Sequence, residues 1–210
     1  MDPVLSGLLE PSARRPRLAR ITVEQYHRML EAGVLRDGEP IELIDGLLVY
    51  KDRSAAGEDP MTVGKRHAVA VELLTELDRL VAPHGCHVRT QKPITLPPHH
   101  EPEPDGAIVR GVRRDYSKRH PGAADVCCAI EVSDSSLEHD RTVKLATYAL
   151  AALPQYVIVN IPEGRLEVFE DPLPGEGRYA HVLHVAKNGT LSLNVGSVER
   201  VTASASDLLP

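Results

Sequence analysis

Pro104-Asp105-Gly106-Ala107-Ile108-Val109, Asp125-Val126-Cys127-Cys128-Ala129-Ile130-Glu131-Val132-Ser133 and Asp140-Arg141-Thr142-Val143-Lys144-Leu145-Ala146-Thr147-Tyr148 follow one another within residues 104–148. An acid opens the first apolar run, and a second acid lies near the end of the next. Asp125 to Val132 is almost continuously apolar, as suits a central strand covered on both faces. The segment from Asp140 to Ala151 carries Val143, Ala146, Tyr148 and Leu150 at helical spacing. Gln155 to Ile161 is a further apolar run. Strand, helix and strand in that order imply a crossover between parallel strands, normally right-handed.

Working upstream, Pro97 to Pro104 is rich in proline and breaks regular structure. Cys86 to Arg89 and Pro93 to Leu96 read as short strands. Apolar residues at Val63, Ala70, Val71, Leu74, Leu77 and Val81 predict a helix over Thr62–Val81, ended by Pro83 and Gly85. Residues 51–61 read as a loop. Ile41 to Tyr50 contains Asp45-Gly46 between apolar runs, a strong hairpin signal. Thr22-Val23-Glu24-Gln25 is a capping box, so a helix should run to about Glu31 and stop at Gly33. Downstream, Leu166–Glu170, Tyr179–Ala186 and Leu191–Leu193 predict antiparallel strands. The expected division is a disordered basic arm over 1–20, one domain over 21–197 and a C-terminal tail over 198–210.

Hydrophobic residues make up 42% of the 210 and charged residues 26%, which is a soluble globular composition. With one Phe and no Trp, the core must be aliphatic. No apolar run is long enough for a membrane span, and the first residues do not read as a secretory signal. The odd set Cys86, Cys127 and Cys128 reads as reduced thiols, so a cytoplasmic protein is expected. A net charge of −6 does not itself signal nucleic acid. Local charge does: Arg110, Arg113, Arg114, Lys118 and Arg119 lie between the two acidic runs, where they are candidates for phosphate contact. Arg14, Arg15, Arg17 and Arg20 read more simply as a solvated arm.

Phosphodiester hydrolysis is slow because the anionic backbone repels hydroxide. Magnesium neutralises that charge and lowers the pKa of bound water. It takes oxygen ligands, often one or two carboxylates with water and phosphate. Asp105 and Glu131 meet that need if their strands are neighbours, with the Val132 carbonyl as a third oxygen. Lys144 would then hold the attacking water or stabilise the developing charge on phosphorus. Glu42, between Ile41 and Leu43, would complete the metal shell or act as a base. Plainer readings stand beside these: Asp105 as a turn residue, Glu131 in a structural salt bridge, and Lys144 paired along the helix with Asp140, itself an N-cap or first-turn acid.

The ordered set Glu42-Leu43-Ile44-Asp45-Gly46, Pro104-Asp105, Glu131-Val132-Ser133, Asp140, Lys144, Tyr148 and Gln155-Tyr156 resembles the Uma-two family of restriction endonucleases, within the PD-(D/E)XK nuclease superfamily. The resemblance covers roughly Thr22 to Val195. It implies an α/β restriction-endonuclease-like core, a mixed β-sheet flanked by helices, to which the C-terminal strands add an antiparallel extension. By analogy it implies cleavage of DNA with magnesium, or manganese in its place. The superfamily's lysine stands two residues after the second acid, where this chain has Ser133. In the Uma-two group it moves to the following helix, where Lys144 stands. Glu42 matches an acid on an early strand, and His67 and Gln91 fall near polar positions. Restriction-like enzymes often dimerise, so a homodimer is an open expectation. Two other functions compete: a catalytically weak nuclease-fold protein that binds nucleic acid or regulates, and a small-substrate metallohydrolase suggested by His99-His100-Glu101-Pro102-Glu103.

Overall fold

The computed structural model describes residues 19–36, 38–51, 64–196 and 199–210. Most of the expected arm, residues 52–61 of the expected loop, and Thr62 and Val63 lie outside these. Helix α1 (Val23–Glu31) starts at the anticipated capping box: Thr22 Oγ1 accepts from Gln25 N at 3.2 Å, and Gln25 Oε1 accepts from Thr22 N at 2.9 Å. Strands β1 (Ile41–Ile44) and β2 (Leu47–Tyr50) form the anticipated hairpin. Asp45 and Gly46 both have positive φ, 51° and 74°, the geometry of a type I′ turn.

The centre is a six-stranded sheet in the order β3 (Cys86–Thr90), β4 (Gly106–Arg110), β5 (Val126–Ser133), β6 (Gln155–Asn160), β7 (Arg165–Leu173) and β8 (Arg178–Ala186). Only β5 and β6 pair in parallel; the other neighbours are antiparallel. All eight residues of β5 are buried. Alternation along β5 divides the core. Cys128, Ile130 and Val132 pack with Ala70, Leu74 and Leu77, while Ala129 packs with Tyr148, Ala149 and Tyr156. Glu131 shares the parity of Ala129. It therefore leaves β5 toward the crossover helix that carries Lys144.

Four boundaries differ from expectation. The helix anticipated over Thr62–Val81 is split into α2 (Lys65–Thr75) and α3 (Asp78–Val81). The chain tightens where Glu76 N and Leu77 N bond the carbonyls of Leu73 and Leu74. This aims Leu77 into the core and lets Asp78 Oδ1 accept from Val88 N at 2.8 Å. Pro93–Leu96 makes only isolated bridges, Thr95 with Gly122 and Leu96 with His100, because the flanking Pro93, Pro97 and Pro98 have no N–H to donate. The crossover helix starts earlier than Asp140. It comprises α4 (Leu137–His139), a π-helical turn (Asp140–Lys144) and α5 (Leu145–Leu150). The stretch set apart as a tail packs instead. Strand β10 (Arg200–Ser204) pairs with β9 (Thr190–Asn194), and Leu208 and Leu209 enter the core.

Gly106 follows Asp105 because α2 crosses β4 there. A Cβ at Gly106 would stand 2.7 Å from Leu74 Cδ1. Gly106→Ala is expected to cost about 1–3 kcal/mol by overpacking, read as a lower urea midpoint. A midpoint equal to the parent's would show that Leu74 yields freely.

Candidate active site

Antiparallel pairing of β4 and β5 sets Gly106 opposite Ile130, which brings Asp105 beside Glu131. The two are tied through the backbone. Asp105 N donates to Glu131 Oε2 at 3.2 Å, and Val132 N donates to Asp105 Oδ2 at 2.9 Å. Lys144 Nζ donates to Glu131 Oε1 at 3.0 Å and to Glu42 Oε2 at 2.7 Å. All four expected residues, Glu42, Asp105, Glu131 and Lys144, thus converge, and each is 2–3% exposed. They line one cleft of about 380 Å³ with Lys51, Asp140, His139 and Tyr50.

Local structure explains the reach of Lys144. The π-helical turn, in which Leu145 N reaches back to Asp140 O, ends at this lysine. Lys144 and Tyr148 are four residues apart and face the same way. Tyr148 OH donates to Glu131 Oε1 at 2.6 Å. Asp140 does not pair with Lys144 along the helix. Its Oδ2 accepts from Ser133 Oγ at 2.6 Å and Ser136 Oγ at 2.7 Å. Ser133 therefore fastens the crossover helix to β5.

Three further residues join the site: Lys51, which the sequence did not mark, and His67 and Tyr148, which entered only through the family resemblance. Lys51 Nζ donates to Glu103 O at 2.6 Å and lies 3.0 Å from Asp105 Oδ1. His67 Nδ1 lies 3.0 Å from the Val132 carbonyl, so it carries the proton of that hydrogen bond. Its Nε2 lies 3.4 Å from Asp105 Oδ1. Tyr148 fixes Glu131, as above. Gln91 enters only through its backbone: its N–H donates to Asp105 O at 3.1 Å. The Val132 carbonyl, expected toward a metal, already accepts from His67.

The electrostatics separate the two acids. Burial would raise Asp105, but Lys51 and His67 outweigh it and hold the carboxyl well below the usual range. Burial raises Glu131 to about 7, against the pull of Lys144 and with the push of Asp105. Glu42 is lowered: burial opposes it, and Lys144 and Lys51 prevail. Lys144 is raised, because Glu131 and Glu42 overcome its burial, so it stays an ammonium ion. His67 is also raised, with Asp105 overcoming burial.

The basic cluster lies elsewhere. Arg110 ends β4, five residues and about 17 Å along the strand from Asp105. Arg113 pairs with Asp78 at 2.8 Å and Arg119 with Asp125 at 2.6 Å, while Arg114 and Lys118 are exposed. The His99–Glu103 segment points its groups apart. His99 Nδ1 lies 3.0 Å from Ile21 O, His100 Nδ1 accepts from Asp45 N at 3.1 Å, and Glu101 is held by His27 and Thr95. Among the described residues, no three His, Cys, Asp or Glu side chains are gathered at metal-ligating spacing. In the cleft, the ammonium groups of Lys51 and Lys144 stand among the carboxylates.

The donor chemistry nevertheless fits a hard divalent cation. Asp105 and Glu131 are neighbouring oxygen donors. Asp105 Oδ1 is buried and accepts no well-directed hydrogen bond among the described residues. His67 Nε2, beside it, is in the same condition. No helix among the described residues is long and apolar enough to cross a membrane.

The crystal structure of "a putative nuclease belonging to DUF820" from Anabaena variabilis ATCC 29413 shares this fold. The TM-score is 0.63 at 17% identity, over 90% of this chain and 97% of that one. No curated protein matches the chain. The Uma2 family model, described as "Putative restriction endonuclease", matches residues 23–200, a span that includes every residue of the cleft. The chain belongs to the Uma2 family.

Proposed function

We propose that the protein is a metal-dependent endonuclease that hydrolyses DNA phosphodiester bonds, with a PD-(D/E)XK-type site whose lysine stands on the crossover helix. The observation that carries this reading is the backbone-tied pair Asp105 and Glu131 with Lys144 between Glu131 and Glu42. DNA as the substrate rests on the family's description.

Asp105 and Glu131 would hold magnesium or manganese, which supplies charge neutralisation and a more acidic bound water. Glu42 has its Oε2 committed to Lys144 and to Glu103 N at 2.8 Å. In this arrangement its first task is to aim the lysine, and any contact with the ion is secondary. Lys144 is kept protonated, so it serves as a donor to the charge that builds on the phosphoryl oxygens, not as a base. Tyr148 fixes the rotamer of Glu131. His67 steadies the β5 carbonyl at Val132 and flanks Asp105.

The test is Mg²⁺ binding by calorimetry across pH, beside a plasmid-nicking assay. Burial raises the Glu131 carboxyl to about 7, so below that pH a proton competes with a cation for it. Affinity should therefore rise about tenfold per pH unit below that point, level off above it, and vanish in Asp105→Asn. Binding that ignores pH or survives Asp105→Asn would place the ion elsewhere.

A further inference from the structure

Two ammonium groups share the cleft, and they are held differently. Lys144 Nζ donates to two carboxylates, Glu42 at 2.7 Å and Glu131 at 3.0 Å. Among the described residues, Lys51 Nζ donates only to a neutral carbonyl, Glu103 O at 2.6 Å, and meets one carboxylate oxygen, Asp105 Oδ1, at 3.0 Å. That second contact lacks hydrogen-bond direction, since Oδ1 has no well-directed donor among the described residues. Lys51 is thus the less firmly fixed of the two cations. It is 7% exposed, directly follows β2 and lines the same cleft as Glu131 and Lys144. Its four-carbon stem lets the ammonium relocate without moving the backbone.

The oxygen that Lys51 neutralises is also the one left for a divalent cation. Two cations cannot share it at close range without strong repulsion. We propose that Lys51 is an exchangeable counter-ion. It neutralises Asp105 in the metal-free protein, leaves Oδ1 when a divalent cation binds, and turns its ammonium to a substrate phosphate in the cleft. The exchange keeps a buried carboxylate from standing uncompensated. It also couples loading of the site to a new phosphate contact. Lys51 is then a substrate-contacting residue, while Lys144 stays anchored throughout.

This inference rests on the metal-dependent reading above, and its test separates the two. The wild-type chain is treated briefly with an amine-acetylating reagent, and acetylation at Lys51 and Lys144 is read by mass spectrometry. Three conditions are compared: no metal, Mg²⁺, and Mg²⁺ with a slowly cleaved phosphorothioate duplex. Lys51 labelling should rise several-fold with Mg²⁺ and fall again with the duplex, while Lys144 stays protected. Calorimetry on Lys51→Gln should show Mg²⁺ binding tightened about tenfold, because the competing cation is gone. Unchanged Lys51 labelling on adding Mg²⁺ would overturn the exchange, even if Lys51→Gln does not fold. Labelling that stays high with the duplex would overturn the phosphate contact. Unchanged or weaker Mg²⁺ binding by folded Lys51→Gln would also count against the proposal. Absence of Mg²⁺ binding by the wild type would instead remove the metal-dependent reading itself.

Discussion

Glu131→Gln is expected to lower metal-dependent cleavage by about 10³-fold while the protein stays folded. Glutamine keeps the size of the side chain but removes the charge that would hold a cation. Lys144 keeps its 2.7 Å bond to Glu42, and Tyr148 OH can still donate to the amide oxygen. Stability should move the other way. The folded pKa of Glu131 is about 7 against an ordinary 4.5, because burial disfavours the ionised form. A carboxyl raised in this way supports folding fully below its unfolded pKa. It loses that support as pH rises through the window from about 4.5 to about 7. Above that window the parent carries a cost that the variant lacks, so the difference in urea midpoint should shift in favour of Glu131→Gln between pH 5 and pH 8. An active variant would remove Glu131 from the chemistry. A stability difference that ignored pH would contradict the burial account.

Lys144→Ala should have the largest effect on the fold. It strips the shared cation from two carboxylates that are each nearly inaccessible to water. Removing one partner of a buried ion pair costs about 3–5 kcal/mol, because the remaining charge is left without compensation. Urea unfolding should show a loss of that order, together with loss of cleavage. The double variant Lys144→Met with Glu42→Gln should recover much of the stability and none of the activity, since it removes charge on both sides. A loss below about 1 kcal/mol for Lys144→Ala would mean that water or Lys51 replaces the ammonium easily. The lysine would then be dispensable to the fold.

Much of the architecture was legible because it is written in local patterns. The Asp45-Gly46 turn, the Thr22–Gln25 capping box and the nearly continuous apolar run of β5 each imply their geometry from adjacent residues. The crossover to β6 followed from two buried strands with a helix between them. Boundaries failed where tertiary packing decided. Leu77 is pulled into the core across a broken helix, and Leu208 and Leu209 pack although no periodicity marks them.

The same division runs through the site. Glu131 announced itself as a charge inside an apolar strand, and Asp105 by its place at the start of the neighbouring one. Lys144 stood out as a lysine on the following helix, with the family pattern beside it, and the structure supplies the reason: parity sends Glu131 toward the helix that bears it. Lys51 carried no comparable signal, and Tyr148 stood out only as a member of the family set. Lysine after a hairpin reads as solvated, and tyrosine at helical spacing reads as core. Only folding brings Lys51 to Asp105, 54 positions away. The arginine loop shows the converse. Its charges were plain, but the partners Asp78 and Asp125 and its place at the far end of β4 became visible only in three dimensions.

The pairing of Asp105 with Glu131 as a cation site is tested most directly by anomalous diffraction from crystals soaked in Mn²⁺. The account predicts a single strong anomalous peak between the two carboxylates, about 2.2 Å from oxygen atoms of both, with Lys51 Nζ displaced from Asp105 Oδ1. A peak elsewhere, or none at the pair while Lys51 and Lys144 keep their present partners, would contradict it.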